Sequence, residues 1–137
     1  MQLQLDERTY VDGQLRPEDM AALKANGFTH IINNRPDDED AGQPSSEELE
    51  AAANMAGISY RHIPIARGMG PSDIEEMRAA IHEASGGKLF AFCRSGNRST
   101  LAWAVAKSED GTSREELERC AANAGFSLEP VSHLIRT

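Results

Sequence analysis

Short apolar runs alternate with longer stretches in which apolar residues recur every three or four positions. This pattern predicts an α/β chain. The runs Tyr10–Asp12, Thr29–Asn33, Tyr60–Ile65 and Lys88–Phe92 read as strands, with Leu3–Leu5 a weaker edge candidate. Each is too short for a convincing helix, and several are rich in Ile, Phe or Tyr. The stretches between them have readable helix ends. Pro17 suits a first helical position before "EDMAALKAN", and Gly27 suits its stop. Ser45 with Glu48 reads as a capping box opening "SEELEAAANMA", which Gly57 closes. Ser72 with Glu75 predicts the start of "DIEEMRAAIHEA", ended by Gly86 and Gly87. A further helix is expected at or just after Ser99, and another is opened by Thr112 with Glu115 and ended by Gly125. Strands and helices in this order build three layers, a central and mostly parallel sheet flanked by helices.

Composition narrows the picture. A chain of 137 residues suits one core, so a single domain over 1–137 is expected; no repeat, low-complexity tract or linker interrupts it. A formal charge of −8 argues against nucleic acid or an anionic membrane as partner. No apolar run approaches a membrane span. The opening "MQLQLDERTY" carries charges where a signal peptide needs an apolar core, so a cytoplasmic location is expected. Two cysteines, Cys93 and Cys120, make no disulfide framework. His30, His82 and His133 lack metal-ligand spacing, and neither a metal nor another cofactor is expected. His62 reads as a structural histidine on its strand.

The stretch "FAFCRSGNRST" carries the chemistry. It places a thiol at the mouth of an apolar strand and follows it with Arg94, Ser95, Gly96, Asn97, Arg98 and Ser99. Gly96 lets the backbone turn tightly, so that successive N–H groups point inward. A helix starting just beyond adds its free N–H groups and the positive end of its dipole. Arg94 and Arg98 supply permanent charge, and Arg98 suits a bidentate clamp. Such a cradle favours a thiolate, and the expected result is a nucleophilic Cys93 acting on an anion. Cys120 falls at helical spacing with Leu117 and Ala124 and reads as a buried small hydrophobe. Trp103 and Val105 read as core anchors of the helix after the loop. Arg35 and Arg67 also follow strands, and ligands gather at the carboxyl ends of parallel strands, so both are candidates for recruiting the anion. The acidic residues of "RPDDEDAGQPSS" read as a solvated connection.

"CRSGNRS" resembles the active-site loop of rhodanese-type sulfurtransferases, in which a cysteine carries sulfane sulfur as a persulfide. Tyrosine and dual-specificity phosphatases use a related loop, with five residues between cysteine and arginine. The stretches "GQLRPEDMAALKANGF", "IINNRP", "GQPS", "HIPI" and "CRSGNRST" together resemble the phosphatase-like domain of bacterial beta-lactamase-hydrolase-like proteins. Members of that family are named both as phosphatases and as sulfur transferases. Some are fused to metallo-beta-lactamase-like domains that oxidise persulfides, which makes such a protein a candidate partner. The resemblance implies a dual-specificity-phosphatase-like fold of the cysteine phosphatase superfamily, with Cys93 as nucleophile.

Two departures from the phosphatases bear on the reaction. Four residues, Arg94 to Asn97, separate Cys93 from Arg98, and Ser99 stands where the phosphatase arginine would be. A smaller ring suits a persulfide or compact oxyanion better than a phosphoryl group in flight, which needs three equatorial oxygens coordinated. Phosphatases also carry an aspartate after the preceding strand to protonate the leaving group. Here the loop reads "IPIARGMGPSD", with Arg67 near that place. Asp73 is the candidate acid, and reads more simply as a first-turn helix residue. The leading expectation is therefore a sulfurtransferase that takes sulfur from a small anionic donor and passes it to a thiol or cyanide. A phosphatase acting through a cysteinyl-phosphate is the alternative. A third is a non-catalytic anion-binding or redox-sensing module.

Overall fold

The computed structural model describes residues 2–136. Among these residues five strands form one sheet: β1 (Leu3–Gln4), β2 (Thr9–Asp12), β3 (His30–Asn33), β4 (Ser59–His62) and β5 (Leu89–Phe92). Their order across the sheet is β1-β2-β5-β3-β4. Among the described residues only the β1–β2 pair is antiparallel. A central, mostly parallel sheet is thus observed as expected, with helices on both faces.

The helices are α1 (Met20–Ala25), α2 (Ser46–Ala56), α3 (Pro71–Glu83), α4 (Asn97–Glu109) and α5 (Arg114–Asn123). Alternation along the strands divides the core. Ile31, Phe90 and Phe92 face one way and pack with Leu23 of α1 and Leu49 of α2. Ile32, Leu89 and Ala91 face the other way, beneath Met77, Trp103 and Leu117 of α3, α4 and α5. α4 is the central helix of its layer, and Ser99 through Ala106 are all buried. Alanines at 102, 104 and 106 let its neighbours approach closely. Trp103 and Val105 are core residues, and Cys120 is buried on α5, where desolvation pushes its thiol up.

Several boundaries moved. α3 starts at Pro71 rather than around Ser72, because the Asp73 carboxylate reaches back to accept the Gly70 N–H at 2.9 Å. α5 is capped by Ser113, one residue beyond Thr112, with its Oγ accepting the Glu116 N–H at 3.2 Å. α4 begins at Asn97, ahead of Ser99, since Gly96 already takes the capping place. The first helix divides into a 3-10 turn at Pro17–Asp19 and α1. The strand expected over Tyr60–Ile65 ends at His62, although Ile63 and Ile65 still donate to the Asn33 and Asn34 carbonyls. A closing 3-10 turn, Glu129–Leu134, carried no periodic signal.

The topology positions the site. β5 lies between β2 and β3, so the connections diverge on either side of its carboxyl end. Such a switch point leaves a crevice where a ligand can sit. Cys93 is the residue that follows β5.

Candidate active site

Cys93 sits at the floor of the turn joining β5 to α4, and only 1% of it is exposed. Its N–H reaches the Asp12 carbonyl at 3.4 Å, tying the loop to the end of β2. The Gly96 N–H donates to the Cys93 sulfur at 3.1 Å. That turn requires a left-handed Gly96, at φ 94°. Its missing side chain also matters, since a Cβ there would stand 3.3 Å from the Phe126 ring and 3.4 Å from the Asp12 carbonyl oxygen. Gly13, which sequence reasoning passed over, has a matching role. A Cβ on Gly13 would meet the Arg94 carbonyl oxygen at 2.8 Å, so the loop can lie against β2 only over a glycine.

The first turn of α4 closes the cradle. The Asn97 N–H donates to Ser95 Oγ at 3.3 Å, and both the N–H and the hydroxyl of Thr100 donate to the Gly96 carbonyl at 3.0 and 2.8 Å. The Ser99 hydroxyl is buried with no hydrogen-bond partner among the described residues. Arg94 and Ser95 are exposed on the rim, and Arg94 comes within 3.8 Å of Asp40.

Arg98 does not point into solvent. Its Nη1 donates to the Ile65 carbonyl and to Glu39 Oε2, both at 2.8 Å, and its Nη2 donates to Glu39 Oε1 at 2.8 Å. The Glu39 hydrogen bonds raise its guanidinium above the ordinary value, and the neighbouring Cys93 sulfur acts in the same direction. The loop arginine and the thiol therefore share one site.

The acidic loop departs from expectation. Glu39 and Asp40 do not form a merely solvated connection, because they neutralise the arginines. Arg35 is 3% exposed, and each of its guanidinium nitrogens has a side-chain partner. Nε donates to Glu39 at 2.8 Å, Nη1 to Gln14 at 2.8 Å and Nη2 to Asp40 at 2.6 Å. A buried guanidinium without such partners would carry a heavy desolvation penalty. Glu39 Oε1 thus accepts from Arg35 and Arg98 together. The Arg98 hydrogen bonds, with help from Arg35, lower its carboxyl from the usual 4.5 to about 2. Sequence gave no sign of this pairing, since Glu39 and Arg98 are 59 positions apart.

Other candidates occupy simpler positions. His62 Nε2 lies 2.7 Å from the Arg35 carbonyl oxygen and steadies that residue. Asp73 holds the start of α3 through Gly70. Arg67 is exposed in the loop after β4, two residues beyond the Ile65 carbonyl that holds Arg98. No helix among the described residues is long and apolar enough to cross a membrane.

Taken together, a buried sulfur that accepts the Gly96 N–H lies beside the Arg98 guanidinium at the start of α4, a combination of donors and charge suited to a small anion. A beta-lactamase hydrolase-like protein of Agrobacterium fabrum is 34% identical over 131 residues, covering 92% of this chain and 30% of its own length. The chain thus spans under a third of that relative. A structure from Neisseria meningitidis, provisionally described as a phosphatase, superposes with TM-score 0.78 at 30% identity and covers 96% of both chains. A kinase associated phosphatase, with serine in place of its catalytic-site cysteine, shares the fold at TM-score 0.71 and 18% identity, covering 97% of this chain and 89% of its own. Residues 3–110 match the model for the phosphatase-like domain of beta-lactamase hydrolase-like proteins. The chain belongs to that family and carries the fold of the cysteine phosphatases.

Proposed function

We propose that this protein is a cytoplasmic sulfurtransferase working through a persulfide on Cys93. In the first step the Cys93 thiolate attacks the outer sulfur of a donor such as thiosulfate or glutathione persulfide. A bond forms between the two sulfurs, and sulfite or the donor thiolate departs with the electron pair of the broken bond. In the second step a thiolate or cyanide attacks the terminal sulfur and restores the Cys93 thiolate. Neither step needs an outside oxidant or a general acid. The Gly96 N–H and Arg98 hold the terminal sulfur, while exposed Arg94 and Arg67 attract the anionic donor. Arg35 acts from beneath by bracing Glu39. A metallo-beta-lactamase-like domain that oxidises persulfides would be a fitting recipient of the product.

The observation that carries this reading is the compact loop. It has four residues between Cys93 and Arg98, and the Gly96 N–H is only 3.1 Å from the sulfur. The engagement of Asp73 as a helix-start acceptor supports it too, since a reaction without a leaving-group acid has no need of that carboxyl. Intact-mass measurement after incubation with thiosulfate should find a gain of one sulfur atom mapped to Cys93. Cys93→Ser should abolish both that gain and thiocyanate production from thiosulfate and cyanide. Turnover that survives the substitution would exclude the mechanism.

A second reading, phosphoester hydrolysis through a cysteinyl-phosphate, is favoured by the phosphatase descriptions of the solved relatives. Vigorous turnover of para-nitrophenyl phosphate, lost in both Cys93→Ser and Asp73→Asn, would establish it over sulfur transfer.

A further inference from the structure

A guanidinium has five N–H donors, arranged as two forks and one outer position. In Arg98 the Nη1–Nη2 fork is taken by both oxygens of Glu39, and the second Nη1–H by the Ile65 carbonyl. Three donors are thereby committed. The Nε–H and the remaining Nη2–H form the other fork; among the described residues no carboxylate or carbonyl is seen to accept from it, and the Cys93 sulfur lies within hydrogen-bonding reach of the guanidinium. Glu39 is itself immobilised, because its Oε1 also accepts from the buried Arg35 at 2.8 Å.

We propose that Glu39 is a positioning residue that fixes one fork of Arg98 so that the Nε–Nη2 fork is presented to the anion held over Cys93. The inference rests on the reading that Cys93 acts on an anion, and is indifferent to whether sulfur or phosphorus is transferred. The alternative is that the carboxylate competes with the anion. A competitor would take the fork left open here, whereas Glu39 takes the opposite one. Its low carboxyl value, about 2, keeps it charged through the neutral range.

Two variants separate position from charge. In Glu39→Gln the amide nitrogen must confront a guanidinium N–H, so the fork is released while a negative charge is lost. In Glu39→Asp the charge stays but the side chain is one methylene short of bridging Arg35 and Arg98. Tungstate binding, titrated by calorimetry, should weaken about tenfold in both variants, the scale of a lost charge-assisted contact. If charge alone mattered, Glu39→Gln would bind tungstate more tightly and Glu39→Asp would match the wild type. Either result overturns the proposal, as does a wild type that does not bind tungstate. In an Arg98→Lys background, Glu39→Gln should produce little further weakening. An undiminished effect there would mean that Glu39 only supports the fold. Melting curves of each variant identify any that fail to fold, and Glu39→Asp preserves the test if Glu39→Gln does. The persulfide mass measurement separates the two claims. Absent persulfide with the tungstate pattern intact removes sulfur transfer alone, while persulfide with unaltered tungstate affinity removes the role of Glu39.

Discussion

At the scale of single residues, the site depends on positions where a side chain is missing as much as on those where one is present. Gly96 combines a left-handed backbone with two close neighbours. Gly96→Ala should destabilise the protein by about 1–2 kcal/mol, measured by urea denaturation, because an L side chain pays a steric penalty in that conformation. Under the proposed sulfur transfer the same change should slow persulfide formation, since the N–H aimed at the sulfur moves with the strained turn. An unaltered persulfide yield would dissociate the turn from the chemistry. Cys93, Gly96 and Arg98 were legible in the sequence because they are consecutive parts of one turn, and local residue type dictates local backbone shape. Glu39 and Gly13 were not. Their importance comes from partners far along the chain, and an acidic or a small residue in a loop looks alike whether or not an arginine or a carbonyl awaits it.

At the scale of elements, capping decides where helices begin and therefore how loops are aimed. Ser113 accepts the Glu116 N–H at 3.2 Å and starts α5, which packs behind α4. Ser113→Ala should cost about 1 kcal/mol of stability with little effect on anion binding, as seen by paired denaturation and tungstate titrations. A large loss of binding would mean that α5 governs the loop more directly than its position suggests. Helix existence was well signalled by periodicity and terminal glycines. The starting residues were harder, because Thr112 and Ser113 are both good caps and Ser72 competes with Gly70 and Asp73. Which donor meets which acceptor is decided by the angle at which the chain leaves the preceding loop. For the acidic residues of the Arg35–Ser46 stretch the composition pointed to solvent. The fold instead turned Glu39 and Asp40 toward arginines that burial had made expensive to leave alone.

At the scale of the molecule, the ion-pair cluster makes stability depend on acid. Glu39 titrates at about 2 in the folded state against an ordinary 4.5, so the unfolded chain binds its proton first as pH falls. The stabilisation it provides is complete above the ordinary value and disappears as pH drops through about 2. Urea midpoints recorded from neutral pH downward should fall less steeply for Glu39→Gln than for the wild type over that window. Parallel curves would show that the pairing carries no net stability. The sequence by itself determined the α/β class, the helices and strands in their order, and the thiol-and-arginine turn. All of these follow from periodicity, chain-breaking residues and contacts between near neighbours. Tertiary structure alone decided that β5 is central in the sheet, that the carboxyl ends of β2, β3 and β5 meet, and that an acidic loop fastens Arg98. Those outcomes depend on which distant segments are brought together, and each segment in isolation is compatible with several arrangements.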